Sequence, residues 1–249
     1  MKVKKTLCVF DVDRTITNED SMDVTSRYLL TYEQIELLDE AAEKYINWCD
    51  TLNFFFQLVK SNGKGIEEIK NSLSKVDLTK GMKRLFNYLR RNDDKYDLII
   101  ISSGNIFCIN EMLKFNQIDD LIKEIIANRT KVIDDTLIIS EANSHNCDKC
   151  CPSICKKNEL EIYFEKYPRE NYERVIFICD GYNDICLAKN LGKNDVTLAR
   201  KNFAFHKSID ENNLIKDFNC KVDFWENGNE IINYLKSFEW NIVIIIKCF

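Results

Sequence analysis

Leu7-Cys8-Val9-Phe10-Asp11-Val12-Asp13-Arg14-Thr15 is a short apolar run that meets two carboxylates and a hydroxyl where a buried strand should stop. Buried parallel strands read as brief apolar runs, and ligands of open α/β sheets bind just beyond the carboxyl ends of the strands. A pair of acids at that point is placed for chemistry. Read alone, Asp11 and Thr15 are equally good formers of an ordinary strand-to-turn junction, so the rest of the chain has to decide.

Working outward, residues 5 to 10 form the first strand, and the pattern from about Asn18 to Val76 becomes helical. Its clearest segments are Tyr32 to Ala42 and Tyr45 to Val59. The loop Ser61-Asn62-Gly63-Lys64-Gly65 interrupts them, and Leu78-Thr79-Lys80-Gly81 marks the return. The second half alternates strand and helix. Asp97 to Ser102 ends in Ser102-Ser103-Gly104-Asn105 and precedes a helix from about Ile106 to Phe115; Arg174 to Cys179 ends in Asp180-Gly181-Tyr182-Asn183-Asp184 and precedes a helix to about Leu191. Asp195 to Ala199 is a shorter strand, and Leu137 to Ser140 belongs to a small hairpin. The expected fold is therefore α/β, a doubly wound and mainly parallel sheet with a small helical cap inserted after the first strand. Residues 1–17 and 79–249 make the core, and residues 18–78 make the cap.

A chain of 249 residues with 45% hydrophobic and 30% charged residues has the composition of an ordinary globular protein. Its net charge of -5 and pI near 5.3 disfavour a nucleic-acid surface, which needs a basic stripe, and favour a small ligand. The apolar run behind the basic Met1 to Lys5 is too short for a signal-peptide core, and Ile242 to Ile246 is too short for a membrane helix, reading instead as an edge strand or apolar tail. Eleven cysteines, many within apolar segments, read as reduced thiols in a cytoplasmic protein. Oligomeric state is not legible.

Three strand ends thus carry polar clusters: Asp11 with Asp13, then Ser102, then Asp180 with Asp184. In a parallel sheet they share one edge. Clustered carboxylates repel unless a cation separates them, and Mg²⁺ is the oxygen-ligand cation that favours one or two carboxylates plus substrate phosphate. One carboxylate can serve as nucleophile to form an aspartyl phosphate, while the second, two residues on, protonates the leaving oxygen and then activates water. With His145 and His206 the only histidines, a Ser-His-Asp triad or a histidine-rich metal pair is poorly supplied.

The set resembles the haloacid dehalogenase superfamily of phosphatases. More narrowly, Val9 to Thr17 with Glu19, Ser21 and Asp23, then Ile100 to Asn105, His145-Asn146-Cys147-Asp148-Lys149-Cys150 and Cys155-Lys156 are similar to the PHOSPHO family of phosphoethanolamine/phosphocholine and pyridoxal phosphate phosphatases, over roughly residues 5 to 237. The resemblance implies Asp11 as nucleophile, Asp13 as general acid/base, Ser102 as a phosphoryl-oxygen ligand and Lys156, with Lys157 as the alternative, as the neutralising cation. It implies Mg²⁺ held by Asp11, the Asp13 backbone carbonyl and Asp180, with Asp184 directing the metal shell or the lysine. Ser103 and Gly104 stand where the family usually has Asp and Ala, and Cys179 where it has Gly, which bears on substrate identity more than on activity. Glu19, Asp20 and Asp23 are placed to meet an ammonium group of a small phosphomonoester, with helix capping by Asp20 or Ser21 an equal reading, whereas the aromatic run Phe54 to Phe56 is better read as helical core. A phosphotransferase, or a silent binding protein on the same fold, is the competing reading.

His145, Cys147, Cys150, Cys151 and Cys155 also form a dense cluster that suits Zn²⁺ through Cys147 and Cys150. The missing second C-x-x-C, and the direct run into Lys156, favour a reduced, partly buried loop instead.

Overall fold

The computed structural model describes residues 4–212 and 214–247, without the side chains of residues 212, 214 and 239–247; the ends of the expected core, residues 1–3 and 248–249, lie outside it. Seven strands form one sheet: β1 (Lys5–Phe10), β2 (Tyr96–Asn105), β3 (Ile122–Ile133), β4 (Thr136–Ser140), β5 (Tyr172–Cys179), β6 (Val196–Arg200) and β7 (Lys221–Trp225). Their order is β4-β3-β2-β1-β5-β6-β7, parallel throughout except for the β3–β4 hairpin. β1 is the point where the winding reverses. The carboxyl end of such a strand opens into a crevice, so Asp11 is the first residue past the switch point.

Alternate residues of the central strands serve opposite faces, and both are buried. Cys8, Phe10, Ile100, Ile176 and Ile178 pack on one side, against α5 (Met82–Arg90) and α6 (Ile106–Phe115); Leu7, Val9, Ile99, Ile101, Val175 and Phe177 pack on the other, against α7 (Lys156–Lys166), α8 (Ile185–Asn190) and α9 (Ala204–Asn212). Two-faced burial explains why these strands lack polar alternation. At the sheet margins β3 and β7 do carry polar residues, among them Lys123, Glu124, Arg129 and Asp223, and neither strand was expected from the sequence.

Four helices lie between β1 and α5: α1 (Ser21–Leu29), α2 (Tyr32–Lys44), α3 (Trp48–Ser61) and α4 (Ile66–Leu73). Three of their starts, those of α1, α2 and α3, follow from side-chain caps. Asp20 accepts from the Met22 amide, Thr31 forms a capping box with Gln34, and Asn47 accepts from the Cys49 amide. Phe55 and Phe56 are buried in the apolar core that this helical segment shares with the sheet, and Phe54 meets Tyr45 edge-on, so the aromatic run packs the fold. The two chain crossings are tied side by side: Thr17 and Leu78 form an antiparallel bridge, the Asn18 amide donates to Asp77 (2.8 Å), and Thr79 donates through its amide to Ile16 (2.9 Å) and through its hydroxyl to Thr17 (2.8 Å). The β3–β4 hairpin reaches up to α3, where Asn53 exchanges two hydrogen bonds with the backbone of Ile139.

The last helix, α10 (Gly228–Lys247), packs on α5 and runs through Ile242 to Ile246, so of the two expected readings, edge strand or apolar tail, the strand is ruled out. Among the described residues no helix is long and apolar enough to cross a membrane.

Gly81 (φ 84°) and Gly228 bring two turns into backbone contact; a Cβ on Gly228 would sit 2.5 Å from the Gly81 carbonyl. Backbone cannot yield as a side-chain tip can, so Gly228→Ala should lower unfolding stability by about 1–3 kcal/mol in urea titration. An unchanged midpoint would show that the two turns separate freely.

Candidate active site

Beyond β1 the chain makes an irregular turn over Val12–Ile16 that presents the Asp11 and Asp13 side chains. Asp11 still belongs to the ladder, because its amide donates to Ile178 on β5 (3.0 Å). Arg14 then adopts φ 56°, a left-handed conformation unusual for a residue with a Cβ, and bends the chain back. Arg200, the buried last residue of β6, staples this turn by donating to the Arg14 and Asn18 carbonyls and to the Asn18 side chain (2.8 Å). No motif in the sequence singled it out.

Lys156 sits at the first position of α7 with 1% of its side chain exposed. Its Nζ lies 2.8 Å from Asp11 Oδ1 and 2.6 Å from Asp184 Oδ1. Burial alone would push this ammonium down, but the two flanking carboxylates hold it above the ordinary lysine range. The adjacent Lys157 projects from the outer side of α7 to Glu161 (3.2 Å) and takes no part in the cluster.

Asp11, Asp180 and Asp184 are all buried, with carboxylate oxygens within 4.8 Å of one another. Two like charges about 4 Å apart repel by about 4 kcal/mol at a protein-like dielectric. A single ammonium among three carboxylates leaves that repulsion uncompensated, and burial together with Asp11 and Asp184 pushes Asp180 up to about 8. Burial also raises Asp184, to about 6, against the opposing pull of Lys156. Asp184 is engaged through both oxygens: Oδ1 accepts from Lys156, and Oδ2 accepts from the Gly181 (2.8 Å) and Asp180 (3.3 Å) amides. It holds the lysine and its own loop. Asp180 receives the Thr15 hydroxyl (3.2 Å), a contact between the first and last motifs that sequence reasoning left unassigned.

Asp13 stands apart from the lysine. Its Oδ1 accepts the Ser21 amide (2.8 Å), and burial, then Asp20, raise it to about 8, so that it carries a proton at neutral pH. The other oxygen faces the β2 end: a Cβ on Gly104 would lie 3.8 Å from Asp13 Oδ2 and 3.4 Å from Ser102 Oγ. Ser102 is buried and its Oγ accepts the Gly104 amide (3.1 Å), while Ser103 receives the Asn183 side chain (3.4 Å). The β2 end therefore meets both other strand ends. Cys179 is fully buried just before Asp180, and burial holds its thiol well above the ordinary range.

Glu19 and Asp23 depart from expectation. Both are about half exposed and paired, Glu19 with Arg27 (2.8 Å) and Asp23 with Arg14 (2.9 Å), an arginine that Asp23 shares with Asp20 (3.1 Å), so neither carboxylate stands alone. Their place in the sequence, just after the first motif, suggests the pocket; the flanking Arg14 and Arg27 pair with them instead.

Buried hard oxygen donors with excess negative charge fit a small divalent cation such as Mg²⁺, for which Asp11 and Asp180 supply the carboxylates.

A family model described as Putative Phosphatase matches residues 6–238. The pyridoxal phosphate phosphatase PHOSPHO2 of Rattus norvegicus is 29% identical over 238 residues, covering 93% of this chain and 98% of the relative. The phosphoethanolamine/phosphocholine phosphatase of Gallus gallus is 28% identical over 239 residues, covering 94% and 88%. Among solved structures, a phospho-aspartyl intermediate analogue of phosphoserine phosphatase shares the fold with TM-score 0.59 at 20% identity, over 93% of this chain and 99% of the other.

The two adjacent lysines should separate cleanly. Lys156→Met leaves Asp11 and Asp184 buried without a cation and should cost about 3–5 kcal/mol of unfolding free energy in chelator, whereas Lys157→Met should stay within about 0.5 kcal/mol. Equal effects in denaturant titration would contradict the assignment.

Proposed function

The chain belongs to the Putative Phosphatase family and is a phosphoric monoester hydrolase of the haloacid dehalogenase type; from that premise we propose a Mg²⁺-dependent enzyme that cleaves small phosphometabolites through an aspartyl phosphate on Asp11. The observation that carries this reading is the contact of Lys156 with Asp11, which sets a buried cation against the attacking carboxylate, beside a second carboxyl, Asp13, that holds a proton.

Asp11 attacks phosphorus as the bond to the leaving oxygen breaks, and Asp13 gives that oxygen its proton. Asp13 then takes a proton from water, which attacks phosphorus and releases phosphate from Asp11. Ser102 and the backbone around Gly104 hold a phosphoryl oxygen, and Lys156 counters the charge that accumulates near Asp11. Asp184 orients Lys156 from its other side. A bound Mg²⁺, held by Asp11, Asp180 and the Asp13 carbonyl, would supply further positive charge against the phosphoryl oxygens. The helices inserted after β1 would exclude bulk water from the acyl phosphate, leaving Asp13, held by the Ser21 amide, to activate one molecule.

The names of the relatives support pyridoxal 5'-phosphate, phosphoethanolamine or phosphocholine as the substrate class. Glu19 pairs with Arg27, and Asp20 and Asp23 share Arg14, so the choice between an ammonium-bearing substrate and a pyridine is left to the substrate panel.

Phosphate release from a panel of these three and an aryl phosphate should require Mg²⁺ and stop with chelator. Asp11→Asn should lower kcat by at least about 10³-fold with the fold intact, and Asp13→Asn by about 10²–10⁴-fold. Release that persists in Asp11→Asn would overturn the nucleophile; substrate consumed only with an added acceptor, which takes up the phosphoryl group while no free phosphate appears, would make the protein a phosphotransferase.

A further inference from the structure

A second group of metal-capable side chains lies one residue away from the catalytic lysine. Cys147, Cys150 and Cys155 of the segment 141–155 converge with Cys186 of α8, and the four sulfurs all lie within 4.8 Å of one another. The Cys147 and Cys186 sulfurs are 3.7 Å apart. A disulfide needs about 2.05 Å, whereas ligands about 2.3 Å from a shared tetrahedral zinc sit about 3.8 Å from each other. The spacing is that of four ligands around one ion.

The sequence lacks a second C-x-x-C, which favoured a reduced loop. Folding supplies the missing ligand from 39 residues away, because α8 packs against α7 and turns Cys186 toward the loop. The two other members of the sequence cluster are excluded by what they touch. His145 braces the turn, with Nδ1 accepting the Cys147 amide (3.3 Å) and Nε2 against the Cys151 carbonyl (3.1 Å). Cys151 faces the helical segment, accepting from the Trp48 amide (3.4 Å) and donating to the Ile46 carbonyl (3.1 Å).

Two features ask for a ligand here. Segment 141–155 contains no helix or strand, and a loop of that length in a compact fold needs something to order it. Thiols are poor hydrogen-bond partners, so four of them facing one another contribute little cohesion without a metal.

We propose that Cys147, Cys150, Cys155 and Cys186 bind one Zn²⁺ as a closed tetrathiolate site. Its role is structural. Cys155 immediately precedes Lys156, and Cys186 follows Asp184 by two residues, so the ion clamps together the backbone on both sides of the Lys156–Asp184 contact. That positioning consequence rests on the phosphatase reading; the metal site itself does not.

The test is metal analysis of the full chain purified with reductant and without chelator or added zinc, alongside Co²⁺ reconstitution. We expect one zinc per chain and, with Co²⁺, the intense visible absorption of tetrahedral thiolate coordination. Cys186→Ser should lose the tight zinc and alter the Co²⁺ spectrum, while Cys151→Ser should keep both. Wild-type protein that retains no zinc after incubation with it and dialysis, its thiols all open to a thiol reagent, would overturn the site; so would zinc retained unchanged in Cys186→Ser. Both readouts stand whether or not any phosphoester is cleaved, so failure of the metal site and failure of the phosphatase reading are separable. If the clamp positions Lys156, zinc removal should lower kcat more than it raises KM.

Discussion

One buried ammonium, Lys156, lies between Asp11 and Asp184, and the rest of the site is arranged around what that cation can and cannot neutralise. It pairs two carboxylates and leaves a third, Asp180, in their field. A deficit of that kind costs folding stability, since buried like charges each lose hydration as well as repelling. The protein tolerates it at the switch point of the sheet, where the proposed Mg²⁺ and phosphoryl group would bind. In the proposed mechanism, stability is given up there because the chemistry needs the charge.

Rigid elements hold the cluster against its own repulsion. Asp11 is locked by β-ladder bonding to β5, Asp184 by two amides of its own loop, and Lys156 by the start of α7. The strained turn at Arg14 costs on the order of 1–2 kcal/mol, and Arg200 offsets it by capturing the carbonyls the turn exposes. The proposed zinc would add a clamp from the far side of Lys156. In that arrangement each charged group reaches the site from an element whose own packing fixes it, which is what preorganised electrostatic catalysis requires.

How much of this was legible depended on where the information is stored. β1, β2 and β5 announced themselves because both faces are buried and their residues are uniformly apolar; the three polar strand ends followed directly. β3 and β7 did not, because marginal strands carry lysine, glutamate and aspartate that blur the pattern. Ile242 to Ile246 reads as an edge strand or an apolar tail, yet continues a helix whose earlier turns pack on α5. Lys156 and Lys157 cannot be told apart by residue type; α7 separates them by rotating one inward and the next outward. The roles of Cys186, Thr15 and Arg200 come from tertiary contacts across 39, 165 and 186 residues, which no local pattern records. The arginines beside Glu19 and Asp23 were in plain view, but whether a carboxylate is free or paired depends on side-chain packing.

The central claim is that phosphoryl transfer passes through Asp11. Acid quenching during turnover, reduction with borohydride and peptide mass spectrometry test it directly, because borohydride converts an aspartyl phosphate into homoserine. The account predicts homoserine at position 11, dependent on substrate. Enzyme-bound phosphate on another residue such as Ser102, or rapid turnover with no phosphorylated residue trapped at all, would contradict it.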